Sequence, residues 1–160
     1  MGVIWDKLKY GPSQAGPTIK MVATVAFVAG GALMVWSSYI HFHLWQSGGY
    51  REIPTIGPLF LIQSIAGLVL GLVVIAVRRV WAAILGIGFA ASTMIGFFIS
   101  VEHGLFGFKD SSSAPFAHLA LIVEIATMVV LVVAGALCLT GSAQSTRIGA
   151  TPIPVPSADA

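Results

Sequence analysis

The chain has 160 residues, of which 57% are hydrophobic and only 9% charged, with a formal net charge of +2. Soluble domains carry about 25% charged residues, so this balance excludes an ordinary soluble fold. The small, dispersed positive charge offers no footprint for nucleic acid. The mean hydropathy is +0.94, and the apolar residues gather in four long runs with short polar breaks between them. Each run approaches or exceeds the roughly 20 residues that carry a helix across about 30 Å of hydrocarbon. The strictly alternating segments of about 10 residues that build a membrane β-barrel are missing.

Residues 1–18 hold Val3, Ile4, Trp5 and Leu8 beside Lys7 and Lys9, followed by a Gly/Pro-rich break. Such a piece either lies flat among lipid headgroups or serves as an unstructured anchor. A cleaved signal peptide is disfavoured: the polar lead is long, the apolar run exceeds a usual h-region, and no convincing small-X-small site follows.

The first span is expected over residues 19–40, with Trp36 and Tyr39 in an aromatic belt that Trp45 continues. His41 and His43 then leave it. A polar connection from Gln46 to Pro54 follows, in which Gly48-Gly49 allows a turn and Pro54 and Pro58 set the start of the next helix. The second span covers 56–77 and stops at Arg78-Arg79. The third, 80–100, follows so closely that the two must be antiparallel neighbours. A loop through Glu102, His103, Asp110 and Pro115 leads to the fourth span, 116–139, ended by Thr140-Gly141. Residues 142–160, with Pro152, Pro154 and Pro156 among small polar residues, read as a disordered tail.

Four spans place Lys7, Lys9, Lys20, Arg78, Arg79 and Arg147 on one side, and only Arg51 and Lys109 on the other. The positive-inside rule then puts both termini in the cytoplasm. The expected fold is an all-α integral membrane protein, a four-transmembrane-helix antiparallel bundle of residues 19–141, in the cell membrane and specifically a bacterial inner (plasma) membrane. Small residues recur at four-residue spacing: Ala26 and Gly30, Gly67 and Gly71, Ala82, Gly86 and Ala90, and Gly88, Ser92 and Gly96. They let helix backbones approach closely where lipid supplies no hydrophobic drive, either within this bundle or with another membrane protein or a second copy. Cys138, the lone cysteine, reads as a small buried apolar residue.

All four histidines fall on the outer side in this topology. In a helix His41 and His43 diverge by about 200°, so either one faces the bundle and the other the headgroups, or the helix has ended by His41. A first shell of one of these two with Glu102 or His103 and with His118 would suit a transition metal such as zinc, copper or ferrous iron. His41 with His118, or His103 with His118, would suit haem less well, since a porphyrin at span ends would sit half outside the hydrocarbon. The bland alternative is that histidines, apolar in body and polar at the tip, simply suit the interface.

Glu124 lies nine residues after Pro115, about 13 Å into the fourth span at about 1.5 Å per residue. A carboxylate there is costly unless paired, protonated or wetted, so it is expected to face the bundle interior. Thr127 shares its face one turn deeper, His118 does not, and Gln63 and Ser64 of the second span lie at comparable depth as candidate partners. The functional reading of Glu124 is a proton or cation site. The structural one is an interhelical hydrogen bond.

The run from His43 through Gly49-Tyr50-Arg51-Glu52-Ile53-Pro54-Thr55-Ile56-Gly57-Pro58 to Leu61, with Glu102-His103-Gly104-Leu105-Phe106-Gly107-Phe108 and Glu124, resembles small four-span actinobacterial membrane proteins. The resemblance covers residues 20–140. It implies the same four-span architecture and no activity, and it carries over no catalytic residue.

Three functions are therefore expected: a non-enzymatic accessory or scaffolding component of a membrane assembly, a metal- or haem-binding module, or a proton or small-solute transport component using Glu124. Transport by four spans alone leaves little room for a substrate path without a dimer.

Overall fold

The computed structural model describes residues 2–149, with side chains described for residues 4–141. A short helix α1 (Gly2–Leu8) is followed by α2 (Pro17–Ser47), α3 (Ile56–Val77), α4 (Val80–Glu102) and α5 (Ala117–Gly149). Four helices are long and apolar enough to cross a membrane, the fourth over Ala117–Gly141. Exposed large apolar side chains such as Val25, Ile62, Leu72, Ile84, Ile95, Ile122 and Val129 cover their outer faces. In water such a surface would aggregate; in a bilayer it is the solvated face.

One end of the bundle gathers the N-terminal segment, the α3–α4 turn and the last intramembrane turn of α5. The Val80 amide donates to the Tyr10 carbonyl at 3.0 Å, Arg79 donates to the Lys9 carbonyl at 2.5 Å, and Gly141 abuts Ala15. Arg78 adopts a left-handed conformation, with φ 49°, which costs a non-glycine residue roughly 1 kcal/mol. That conformation folds α3 onto α4 through two residues, and the bonds from α1's tail brace the turn. The opposite end carries the α2–α3 and α4–α5 loops.

Around the bundle the order is α3, α2, α5, α4, with α2 packed along both α3 and α5 and with α4 packed chiefly on α5. Glycine makes the tightest crossing. A Cβ on Gly31 would come within 2.6 Å of the Gly71 carbonyl, and one on Gly71 within 2.8 Å of the Gly31 carbonyl. The expected Gly67/Gly71 pair thus packs α3 against α2. On α4 it is the row of Ala82, Gly86 and Ala90 that is buried, with Gly86 against Met34 and Leu131. A Cβ on Gly88 or Gly96 would meet nothing within 4 Å, so the Gly88–Ser92–Gly96 row packs on no neighbouring helix.

α3 and α4 are neighbours, as their short link requires, but touch more sparsely than α2 and α3 do. Phe89 wedges against Gly67. Beyond it Ser92 and Gly96 are too small to fill the seam.

Two boundaries differ from expectation. The first helix runs through His41 and His43 to Ser47, because no proline or glycine stands between Ile40 and Gly48 to stop it. The last continues past Gly141 to Gly149, since Ser142 to Ile148 contain no helix breaker; the rest of the expected disordered tail, 150–160, lies outside the described residues. At the N-terminus the amphipathic piece is helical, and Ile4 and Trp5 are exposed as an interfacial segment would have them.

Candidate functional site

The core falls into two apolar clusters. One, toward the terminal end, contains Phe27, Met34, Val74, Leu131, Ala134 and Cys138. The other, at the loop end, contains Ile40, Leu44, Tyr50, Ile56 and Val123. Polar side chains are buried alongside them: Ser37, Ser38 and His41 of α2, Ser64 of α3, Ser100 of α4, and Glu124 and Thr127 of α5. Two of these hydroxyls spend their proton on the preceding turn. Ser38 donates to the Met34 carbonyl at 2.9 Å, and Thr127 to the Val123 carbonyl at 2.7 Å, the usual way a hydroxyl is satisfied inside a helix.

Ser37 does otherwise. Its hydroxyl donates to Glu124 Oε1 at 3.4 Å, from α2 to α5. His41, one turn along α2, places Nδ1 2.8 Å from the Ser37 carbonyl and 3.5 Å from the Ser37 hydroxyl. A carbonyl only accepts, so Nδ1 carries a proton. In the neutral ring Nε2 is then the lone-pair nitrogen, and it makes no hydrogen bond among the described residues. Phe60 leans on the imidazole with ring centroids 5.5 Å apart. Glu124, Ser37 and His41 thus form one connected polar column in the loop-side half of the bundle.

The column opens into space. A cavity of about 50 Å³ is lined by Glu124, His41, Tyr50, Phe60 and Asp110. A larger cleft of about 260 Å³ lies along the α3–α4 seam, and His41 and Asp110 line it too. Asp110 comes from the α4–α5 loop, where Leu105 and Phe108 pair through hydrogen bonds of 2.7 and 2.9 Å. The turn between them is left-handed at Phe106 (φ 50°) and Gly107 (φ 79°), folding the loop back over the end of the seam. The Asp110 amide donates to the Ser100 carbonyl at 3.3 Å.

Tyr50 closes the column from the α2–α3 loop. Its hydroxyl donates to both Asp110 oxygens, at 3.2 and 3.3 Å, and its ring stacks on Phe60 with centroids 4.3 Å apart. Burial first, then the charge and hydrogen bond of Asp110, push the Tyr50 phenol up to about 12. The tyrosine is therefore a fixed donor.

Several expected partnerships do not form. Gln63 bonds to Thr93 on α4 and not to Glu124, because α3 packs on α2 and α4 while α5 lies across the bundle. Ser64 is buried but is not the carboxyl's partner. That partner is Ser37, and a serine-to-carboxyl pair between two helices has no spacing signature in a sequence.

The outer histidines do not converge. His41 is only 7% exposed. His43 diverges from it to stack on Tyr39 at 6.2 Å between centroids and to meet Phe116 edge-on at 5.4 Å. His103 and Glu102 pair with each other at 3.7 Å in the open, 78% and 68% exposed. His118 is exposed on α5, on a different face from Glu124 as its spacing requires. Among the described residues no three His, Cys, Asp or Glu side chains gather as a metal shell would need. The metal site of His41, His43, Glu102, His103 and His118 is withdrawn on that donor placement. Haem ligation by His41 with His118 is disfavoured by the same placement, because His41 is buried in the bundle while His118 is exposed. His43, His103 and His118 lie at the loop end of the bundle, with His103 and His118 exposed.

The chain matches no protein-family model, no curated protein and no solved structure.

Proposed function

We propose that the chain is a small, non-enzymatic multi-pass protein of a bacterial plasma membrane, with both termini cytoplasmic and an outward-facing, proton-exchanging polar site. It serves as an accessory component of a membrane assembly. The orientation is supported by the basic residues Lys7, Lys9, Lys20, Arg78, Arg79 and Arg147 at the terminal end.

One observation carries the reading. The buried Glu124 is linked through Ser37 to His41, and both Glu124 and His41 line a cavity that reaches Asp110 and Tyr50 at the loop end. Because that cavity reaches the loop end, the carboxyl can exchange its proton there, while Ser37, itself held by the His41 ring, fixes its position; the proton already on His41 Nδ1 bars a relay through Ser37 into the imidazole. The titratable groups that share its cavity are His41 from α2, Tyr50 from the α2–α3 loop and Asp110 from the α4–α5 loop, whereas α3 and α4 contribute Phe60, Thr93 and Phe97.

Beyond Glu124 the path narrows. The void between Glu124, Thr127, Met34 and Phe89 measures about 10 Å³, at the lower limit for one water, roughly 10–15 Å³. The terminal half beyond it is packed with Phe27, Met34, Leu131 and Cys138. This arrangement supports a site that loads and unloads from one side, and it disfavours a proton or solute channel.

Infrared difference spectra of the reconstituted protein across a pH titration test it. A protonated-carboxyl band that appears with pH and vanishes in Glu124→Gln is expected. Vesicles with an entrapped pH dye should show no more proton leak than empty ones. A Glu124 band that fails to titrate, or a leak abolished by Glu124→Gln, would overturn the proposal.

A further inference from the structure

The cleft between α3 and α4 is open toward lipid and has an unusual polar lining. Leu59 and Ile62 of α3, both exposed, stand at its edge. Gly96 and Ser92 of α4 form the opposite wall, and Leu105 and Phe108 of the α4–α5 loop close its end. Its volume of about 260 Å³ is ample for a substituted aromatic ring, given that a protein cavity of about 150 Å³ already accepts benzene.

Ser100 supplies the second observation. Ser100 is 6% exposed and is one of the residues lining the cleft, and its hydroxyl is a buried polar atom with no hydrogen-bond partner among the described residues. Leaving a buried hydroxyl unpaired costs about 1–3 kcal/mol. Unlike Ser38 and Thr127, it does not bond back to its own helix. His41, whose Nε2 makes no hydrogen bond among the described residues, also lines the cleft. Asp110 adds a carboxylate, and the lining holds no lysine or arginine.

Those groups define what would fit. An anionic phospholipid headgroup would face Asp110 with no cation to meet it. A ligand carrying hydroxyl protons would instead donate to His41 Nε2 or Asp110 and exchange a hydrogen bond with Ser100. The rings of Phe60, Phe97 and Phe108 in the lining favour a flat aromatic body, for which stacked and edge-on contacts are available.

We infer that the α3–α4 cleft is a binding site for a neutral, lipid-borne aromatic alcohol of the hydroquinone class, which enters sideways from the bilayer and places its hydroxyls on His41 and Ser100. The site shares His41 with the proton-exchanging column and so rests on that reading for its polar contact, but its walls are separate. Gly96 lies in the wall and a Cβ there meets nothing within 4 Å, so a larger side chain at this position fills the cleft without disturbing the helix crossing. Gly88 is equally open and exposed on the same helix, but does not line the cleft.

Equilibrium dialysis of radiolabelled tetramethylhydroquinone against the full-length protein in lipid nanodiscs, with empty nanodiscs subtracted, tests the site. Saturable binding is expected. Gly96→Leu should weaken it at least tenfold and Gly88→Leu should leave it unchanged. Ser100→Ala should weaken it about fivefold, the worth of one net hydrogen bond. The dimethyl ether of the same ring should bind more weakly than the hydroquinone, and a prenyl-tailed hydroquinone more tightly. No saturable binding, equal binding by the ether, equal binding by Gly96→Leu, or no gain from the prenyl tail would each overturn the inference. Glu124→Gln separates the two readings: hydroquinone binding that survives it alongside a lost infrared band supports both, whereas a cleft that binds although Glu124 never titrates leaves the ligand site standing and removes the proton site.

Discussion

The Ser37 hydroxyl donates to Glu124 Oε1 at 3.4 Å across the α2–α5 contact, and it is the only side chain among the described residues that hydrogen-bonds this carboxyl. The pair ties the polar column to the packing of the two helices. A double-mutant cycle should measure it. Ser37→Ala is expected to cost about 1 kcal/mol and Glu124→Gln less than about 0.5 kcal/mol, since an amide still accepts. The coupling between them should be about 0.6 kcal/mol, the average for interhelical hydrogen bonds in membranes. Unfolding of the micelle-bound protein in increasing SDS provides the readout, and strictly additive effects would show that the two groups do not interact.

The Gly31–Gly71 crossing brings backbone against backbone, and no side chain can step aside there. Gly71→Ala should therefore destabilise the bundle by about 1–3 kcal/mol through overpacking. Gly88→Ala, in open space, should be neutral or gain up to about 1 kcal/mol from helix propensity. The same SDS titration compares them. Equal effects at the two positions would contradict the crossing.

Tyr50 should titrate anomalously. Below its ordinary value of 10.0 the phenol is protonated in the folded and unfolded chains alike, and its contribution is intact. As pH rises from there to about 12 the unfolded chain loses its proton first, so stability falls across that window. Ultraviolet absorbance of the wild type minus Tyr50→Phe isolates the titration. Asp110→Asn should move its midpoint part of the way back down, because burial is the larger cause and remains. A midpoint at the ordinary tyrosine value would mean that the Tyr50–Asp110 contact does not form in the membrane.

Orientation has a direct check. Ser112 is exposed in the α4–α5 loop and Ser13 at the terminal end. A membrane-impermeant maleimide applied to intact cells should label Ser112→Cys and leave Ser13→Cys unlabelled until the cells are lysed; native Cys138, fully buried, should contribute no background. The opposite pattern would reverse the topology.

Four apolar runs, their breaks at Pro54, Arg78-Arg79 and Pro115, and the segregation of basic residues were all legible in the linear chain, because each depends only on local composition measured against the thickness of a bilayer. The burial of Glu124 followed from the same reasoning, since a carboxyl at that depth must face protein. The end of α2 was not legible: apolar composition falls off after Ile40 while the helix runs on to Ser47, because helix geometry ends at a breaker and not where hydropathy does. That continuation decided the fate of the histidines, swinging His41 inward and His43 outward by the 3.6-residue period. Which residue partners Glu124 depended on the order of helices around the bundle, which set α2 beside α5 and α3 across from it. The orphan Ser100 hydroxyl and the cleft that Ser100 lines belong to the α3–α4 seam beyond Phe89. The residues of that cleft are far apart in sequence, and only packing brings them together.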